Sequence, residues 1–158
     1  MTLISQTAEY ALRAMVQIAV SSDDAYVRSK DLAEQTEIPP PYLSKIMRRL
    51  VAADLGDSVK GHGGGFRITK SLVKIRFLDI FEAIGFELQT NHCAFGRDRC
   101  RSKDPCLLHP LFAELNNSCY AWAARTTLQD AVNGRASMHF SVTPDPRQAA
   151  VSPTKSRS

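Results

Sequence analysis

The sequence predicts a mainly α-helical fold with a small β wing: a winged helix-turn-helix domain followed by a long dimerisation helix. Three observations lead there. Apolar residues recur at helical spacing in successive stretches up to Ala53. Two short strand-like runs flank the glycine-rich Gly61-His62-Gly63-Gly64-Gly65. A further apolar stripe, from Leu108 to Ala123, repeats at intervals of three and four residues.

With 158 residues and 44% hydrophobic content, the chain can bury the core of one domain carrying an arm. No apolar run approaches the roughly 20 residues that a membrane helix needs, and Met1-Thr2-Leu3-Ile4-Ser5-Gln6 lacks the basic-then-apolar order of a signal peptide. A cytoplasmic protein without a membrane role is expected. The formal charge of +4 permits a nucleic-acid partner without requiring one. No nucleophile–base pairing, paired catalytic carboxylates or nucleotide fingerprint is visible, so an enzyme is not expected.

Taken in order, Thr7 is the expected cap of a first helix, with Glu9 in its first turn and Ala8, Tyr10, Ala11, Leu12, Ala14, Met15, Ile18 and Ala19 supplying helix formers and an apolar stripe. Ser29 is the expected cap of a short second helix. The prolines at 39–41 then force an extended turn, after which a third helix runs Tyr42 to Ala53. Its apolar face is Leu43, Ile46, Met47 and Leu50; Lys45, Arg48 and Arg49 lie on the other side. A helix, a tight turn and a helix with a basic outer face is the arrangement that sets a recognition helix in a DNA major groove.

Leu55–Lys60 and Phe66–Lys70 read as the two strands of a wing whose glycines allow close approach to another surface. These glycines open no helix and lack the Lys-Ser/Thr of a phosphate-binding loop. The candidate DNA-contacting residues are Ser29, Tyr42, Ser44, Lys45, Arg48, Arg49, Lys60, His62, Gly64 and Arg67. Ile75–Gly85 reads as a short amphipathic helix ended by glycine. The last helix is expected to reach about Ala131, with Cys119 buried in its stripe, to pair with a second copy, and to be stopped by Asn133-Gly134. The remainder, rich in Ser, Pro, Thr and Arg, reads as disordered.

Between these helices lie three of the chain's four cysteines, Cys93, Cys100 and Cys106, trailed by His109. An odd cluster in a chain of this class points to metal ligation rather than to a disulfide framework. Zinc knuckles pair cysteines two to four residues apart. The wider gaps here suit a loop wrapped around an iron–sulfur cluster, with zinc or a thiol redox site as the alternative. Arg97, Arg99, Arg101 and Lys103 favour the thiolates. Asp104-Pro105 reads as a helix start that sets Cys106 at the positive end of a helix.

Several of these segments together resemble one bacterial family, the Rrf-two iron–sulfur winged-helix regulators. Thr7-Ala8-Glu9-Tyr10-Ala11-Leu12-Arg13 is similar to the family's opening helix, Ile38-Pro39 with Tyr42-Leu43-Ser44-Lys45-Ile46 to the start of its recognition helix, and Lys60-Gly61 with Gly64-Gly65-Phe66 to its wing. The resemblance implies a homodimeric transcription regulator on a double-stranded DNA operator. It implies Cys93, Cys100 and Cys106 as cluster ligands, with a [4Fe-4S] cluster preferred and [2Fe-2S] open. His109 stands where IscR-type members carry a fourth ligand, and Glu9 where NsrR-type members place a carboxylate reaching from the partner subunit; both remain candidates. The first cysteine gap is one residue longer than in those members. The expected domains are a winged helix-turn-helix at 1–85, a cluster loop at 86–107, a dimerisation helix at 108–132 and a tail at 133–158.

Overall fold

The computed structural model describes residues 4–21, 25–88 and 106–137, the side chains of 135–137 excepted. The elements run α1 (Gln6–Ser21), α2 (Ser29–Thr36), α3 (Pro40–Ala52), β1 (Gly56–Val59), β2 (Gly65–Ile68), a 3-10 turn (Leu72–Lys74), α4 (Phe77–Ala83), α5 (His109–Arg125) and α6 (Leu128–Ser137). The mainly helical fold with a two-stranded wing is the one the sequence predicts.

Ala8, Ala11, Ala14, Met15 and Ile18 form the buried stripe of α1. Three of the five are alanines, so α2, α3, α4 and α6 can all pack closely against this one helix. Its cap is Ser5, whose Oγ accepts the Ala8 N–H at 3.2 Å, and not Thr7, which lies inside the first turn. Ser29 likewise turns out to be the first residue of α2, with Arg28 in the cap position and no side-chain cap.

At the end of α2, Thr36 is buried and its hydroxyl donates to the Leu32 carbonyl at 2.5 Å. Glu37 then adopts a left-handed φ of 55°, and α3 starts at once. It begins at Pro40 rather than Tyr42, because prolines are tolerated in the first turn, where their missing N–H has no partner to lose. Leu32, Leu43, Leu50, Ile75, Ile80 and Phe81 are fully buried. Each such side chain contributes roughly 1.5–3 kcal/mol.

β1 and β2 pair antiparallel from Gly56↔Ile68 to Val59↔Gly65. Val27, in the segment joining α1 to α2, adds a bridge to Phe66. Beyond the wing, α4 ends in Gly85 with a φ of 71°, as the glycine predicted.

The C-terminal region departs from the single long helix expected. Thr126 is extended, and the chain restarts as α6 behind a reciprocal cap: Thr127 N–H donates to Asp130 Oδ2 at 2.8 Å, and Asp130 N–H donates to Thr127 Oγ1 at 3.2 Å. The break lets Leu128 N–H reach the Ile75 carbonyl at 2.8 Å and lets Phe77 N–H reach that of Thr126 at 3.0 Å. Ala123 and Leu128 are therefore buried in the same core as α1 and α4. Asn133-Gly134 does not stop the helix, which continues to Ser137. The expected tail from 138 onward lies outside the described residues.

Candidate nucleic-acid interface and ligand residues

Ser44, Arg48 and Val51 stand four and three residues apart on α3 and share one face. That face and the wing form a groove of about 700 Å³. The wing supplies Ser58, Lys60, Gly61 and Gly64 as one wall, and Arg28 and Ser29, at the start of α2, close the third side. Arg28, Arg48 and Lys60 bring three cations to the lining, which contains no acidic residue; Asp31 pairs with Arg28 from outside it at 3.7 Å. Hydroxyls, cations and backbone N–H groups in one concave face are the groups that bind a phosphate backbone.

The wing's glycines are there for close approach. A Cβ on Gly64 would lie 2.2 Å from the Val59 carbonyl oxygen, and one on Gly65 would lie 2.1 Å from that of Val27. No other residue lets the hairpin tip fold over β1 while its second strand rests on the α1–α2 segment.

Of the remaining predicted contacts, Lys45 and His62 are exposed, and Tyr42 is 59% exposed with its ring edge-on to Tyr10 at 6.5 Å. Two arginines are engaged elsewhere. Arg49 Nη1 donates to the Ile84 carbonyl at 2.6 Å, on the far side of α3 from the groove. Arg67 is the cross-strand partner of Asp57, and its guanidinium lies 4.7 Å over the Tyr26 ring. Sequence reasoning missed Arg28 as a lining residue, although its place directly before a capless helix marks it. It also missed Tyr26, for which no local signal exists.

Of the predicted metal ligands, Cys93 and Cys100 lie outside the described residues. Cys106 and His109 are both half-buried and sit one turn apart, the His109 N–H donating to the Cys106 carbonyl at 2.9 Å. His109 is the first residue of α5, and Cys106 precedes the helix by three residues instead of lying within it. A thiol and an imidazole three residues apart are donor types that suit an iron–sulfur cluster or zinc.

Glu9 belongs to a different network. Its exposed carboxylate pairs with Arg13, and Arg13 Nη1 also donates to the Thr36 carbonyl at 3.0 Å while its guanidinium sits 5.7 Å from the centre of the Tyr10 ring. One arginine thus ties the first turn of α1 to the turn before α3. Cys119, expected to be buried in the apolar stripe, packs against the core but is only half-buried.

No helix among the described residues is long and apolar enough to cross a membrane. Residues 4–134 match the Rrf2 family, described as an iron-dependent transcriptional regulator. A protein of Aquifex aeolicus is 32% identical over 133 residues, covering 83% of this chain and 92% of its own length. The HTH-type transcriptional regulator IscR of Pectobacterium carotovorum is 30% identical, covering 84% of this chain and 80% of its own. Among solved structures, CymR, the global cysteine regulator of B. subtilis, superposes with a TM-score of 0.69 at 21% identity, over 85% of this chain and 98% of that one. The IscR of T. potens superposes with a TM-score of 0.67 at 20% identity, over 87% and 90%. These relatives are transcriptional regulators and not enzymes, the groove offers a DNA backbone its counter-charges, and the chain belongs to the Rrf2 family of transcriptional regulators.

Proposed function

We propose that this regulator acts as a cytoplasmic homodimer whose operator binding is set by an iron–sulfur cluster on Cys93, Cys100 and Cys106, with His109 as fourth ligand. The observation that carries the reading is the anchoring at the two ends of the cysteine loop. On one side, Phe86 N–H donates to the Phe81 carbonyl at 2.9 Å, its ring packs edge-on to Phe81 at 5.3 Å, and Leu88 is buried. The carbonyl of Ile84, two residues earlier, is held by Arg49 of α3. On the other side, Cys106 stands one turn before His109, the first residue of α5. Binding or loss of the cluster would therefore be transmitted to α3 through Arg49 and to α5 through its first turn.

When bound, the cluster would supply a redox- and nitric-oxide-reactive centre. The chain's own residues do the rest. Arg48, Lys60 and Arg28 neutralise phosphates, with Ser44 and Tyr42 as polar neighbours. His109 is favoured over Glu9 because it stands one turn from Cys106, its N–H on the Cys106 carbonyl, whereas Glu9 belongs to the first turn of α1. The second copy is read from α5, where Leu108, Leu111 and Leu115 stay 37%, 63% and 41% exposed on one side of the helix.

The experiment is anaerobic purification with iron, sulfide and visible absorption measured per chain, followed by operator binding with and without cluster at fixed salt. Matched iron and sulfide with cluster-dependent affinity is the expected result. Equal affinities overturn the switch and leave the DNA binding standing. A colourless protein that takes up no cluster overturns the cofactor and leaves zinc or a thiol switch at the same cysteines.

A further inference from the structure

The sequence marked Arg67 as a DNA contact, yet its side chain does not line the groove. Ser58 and Val59 line the groove with their cross-strand partners Phe66 and Gly65, whereas the next pair, Asp57 and Arg67, lies outside the lining. There the two strand residues meet Tyr26, which comes from the extended segment between α1 and α2. The Tyr26 hydroxyl donates to Asp57 Oδ2 at 2.8 Å, while Asp57 Oδ1 accepts the Ser58 N–H at 2.7 Å. Arg67 stacks on the Tyr26 ring at 4.7 Å, and its Nε is buried with no hydrogen-bond partner. The ring face is then what compensates the cation for its lost water.

The neighbouring residue continues the contact along the backbone. Val27 and Phe66 exchange two hydrogen bonds of 2.8 Å, in the space that only a glycine at 65 leaves open. The hydrogen bond to Asp57, with burial second, raises the Tyr26 phenol above its ordinary pKa, and the nearby Arg67 charge only partly offsets this. The shift keeps the phenol protonated and able to donate to Asp57. The next residue in the chain, Arg28, lines the groove opposite Lys60.

We infer that Tyr26, Asp57 and Arg67 form a clamp that fixes the tilt of the wing, and that Arg67 is a positioning residue for DNA reading and not a phosphate contact. The inference rests on the DNA-binding reading above. One short segment holds the wing through Tyr26 and Val27 and presents Arg28, so the clamp sets the spacing between Arg28 and Lys60 across the groove. A wing free to tilt keeps its charges but loses their register on a particular site.

The test uses the full chain, a duplex selected by the wild-type protein from a random-sequence library, and a scrambled duplex of the same length, each titrated over a range of salt. Arg67→Met and Tyr26→Leu are each expected to weaken the selected duplex by about three- to tenfold, with the double variant no weaker than either single one. Affinity for the scrambled duplex and the salt slope stay at wild-type values, whereas Lys60→Met lowers the slope by about 0.9. Tyr26→Phe removes one hydroxyl and keeps the stacked ring. It folds even where Tyr26→Leu does not, and it shows a smaller loss confined to the selected duplex. A slope lowered by about 0.9 in Arg67→Met, or losses that multiply in the double variant, overturns the clamp and makes Arg67 a phosphate contact. If the wild-type protein selects no duplex at all, the DNA reading falls and the positioning role falls with it.

Discussion

Arg49 Nη1 holds the carbonyl of Ile84 at 2.6 Å, while Arg48, its neighbour on the same helix, lines the groove. Consecutive helical residues point about 100° apart, so one turn of α3 faces two different partners. Arg48→Gln is therefore expected to lower the slope of log affinity against log salt by about 0.9, and Arg49→Gln to leave it unchanged. In urea melts Arg49→Gln loses about 1 kcal/mol, the charged hydrogen bond discounted for an exposed side chain.

Two glycines separate close approach from backbone freedom. Gly65→Ala drives a methyl group into the Val27 carbonyl at 2.1 Å and is expected to cost about 1–3 kcal/mol and to weaken DNA binding. Gly134→Ala, inside α6 with open space where the methyl would go, is expected to gain about 0.5–1 kcal/mol. Thermal unfolding of the two variants gives shifts of opposite sign.

Two carboxylates tie the body to acid sensitivity. Partial burial works against the Asp79 anion, but side-chain and backbone hydrogen bonds from Arg76, together with its charge, outweigh it and hold the carboxyl below the usual range. Hydrogen bonds from the Thr127 hydroxyl and N–H do the same for Asp130. Because both folded values are depressed, the stability they add is complete above the unfolded value of about 3.9 and is lost as pH falls through the folded ones. Thermal midpoints below about pH 4 should fall less steeply in Asp130→Asn than in the parent chain.

Leu111 is the most exposed large hydrophobic residue within α5. Leu111→Asp is expected to shift the protein from dimer to monomer in sedimentation at micromolar concentration, because a carboxylate cannot be desolvated in an apolar interface without a partner. An unchanged dimer removes α5 from the interface.

The two candidate fourth ligands part in a reconstitution assay. His109→Ala is expected to retain less iron and sulfide per chain than the parent, and Glu9→Gln to match it, since His109 stands one turn from Cys106 and Glu9 lies in the first turn of α1. The reverse order makes Glu9 the ligand.

Much of this was legible locally. The stripe of Ala8, Ala11, Met15 and Ile18, the glycines of the wing and the end of α4 at Gly85 follow from spacing and backbone preference. Pro40 and Pro41 misled because the rule against proline in a helix does not apply to its first turn, and Thr127 with Asp130 was a capping pair overlooked within an apolar stripe.

By itself, then, the sequence determined the helices, the wing and the set of chemical groups available: a run of cations along α3, three clustered thiols and an imidazole. Only the tertiary structure decided which of those groups share a surface. Arg48 and Arg49 are adjacent and chemically identical, yet one lines the groove and the other holds a carbonyl of α4. Arg67 is separated from Tyr26 by a whole helix-turn-helix and stacks on it because Val27 and Phe66 share a bridge. The physical reason is range. Periodicity and caps act within a turn or two of the chain, whereas the partner of a long cationic side chain is set by whichever distant ring or carbonyl the packing of the core brings within its reach.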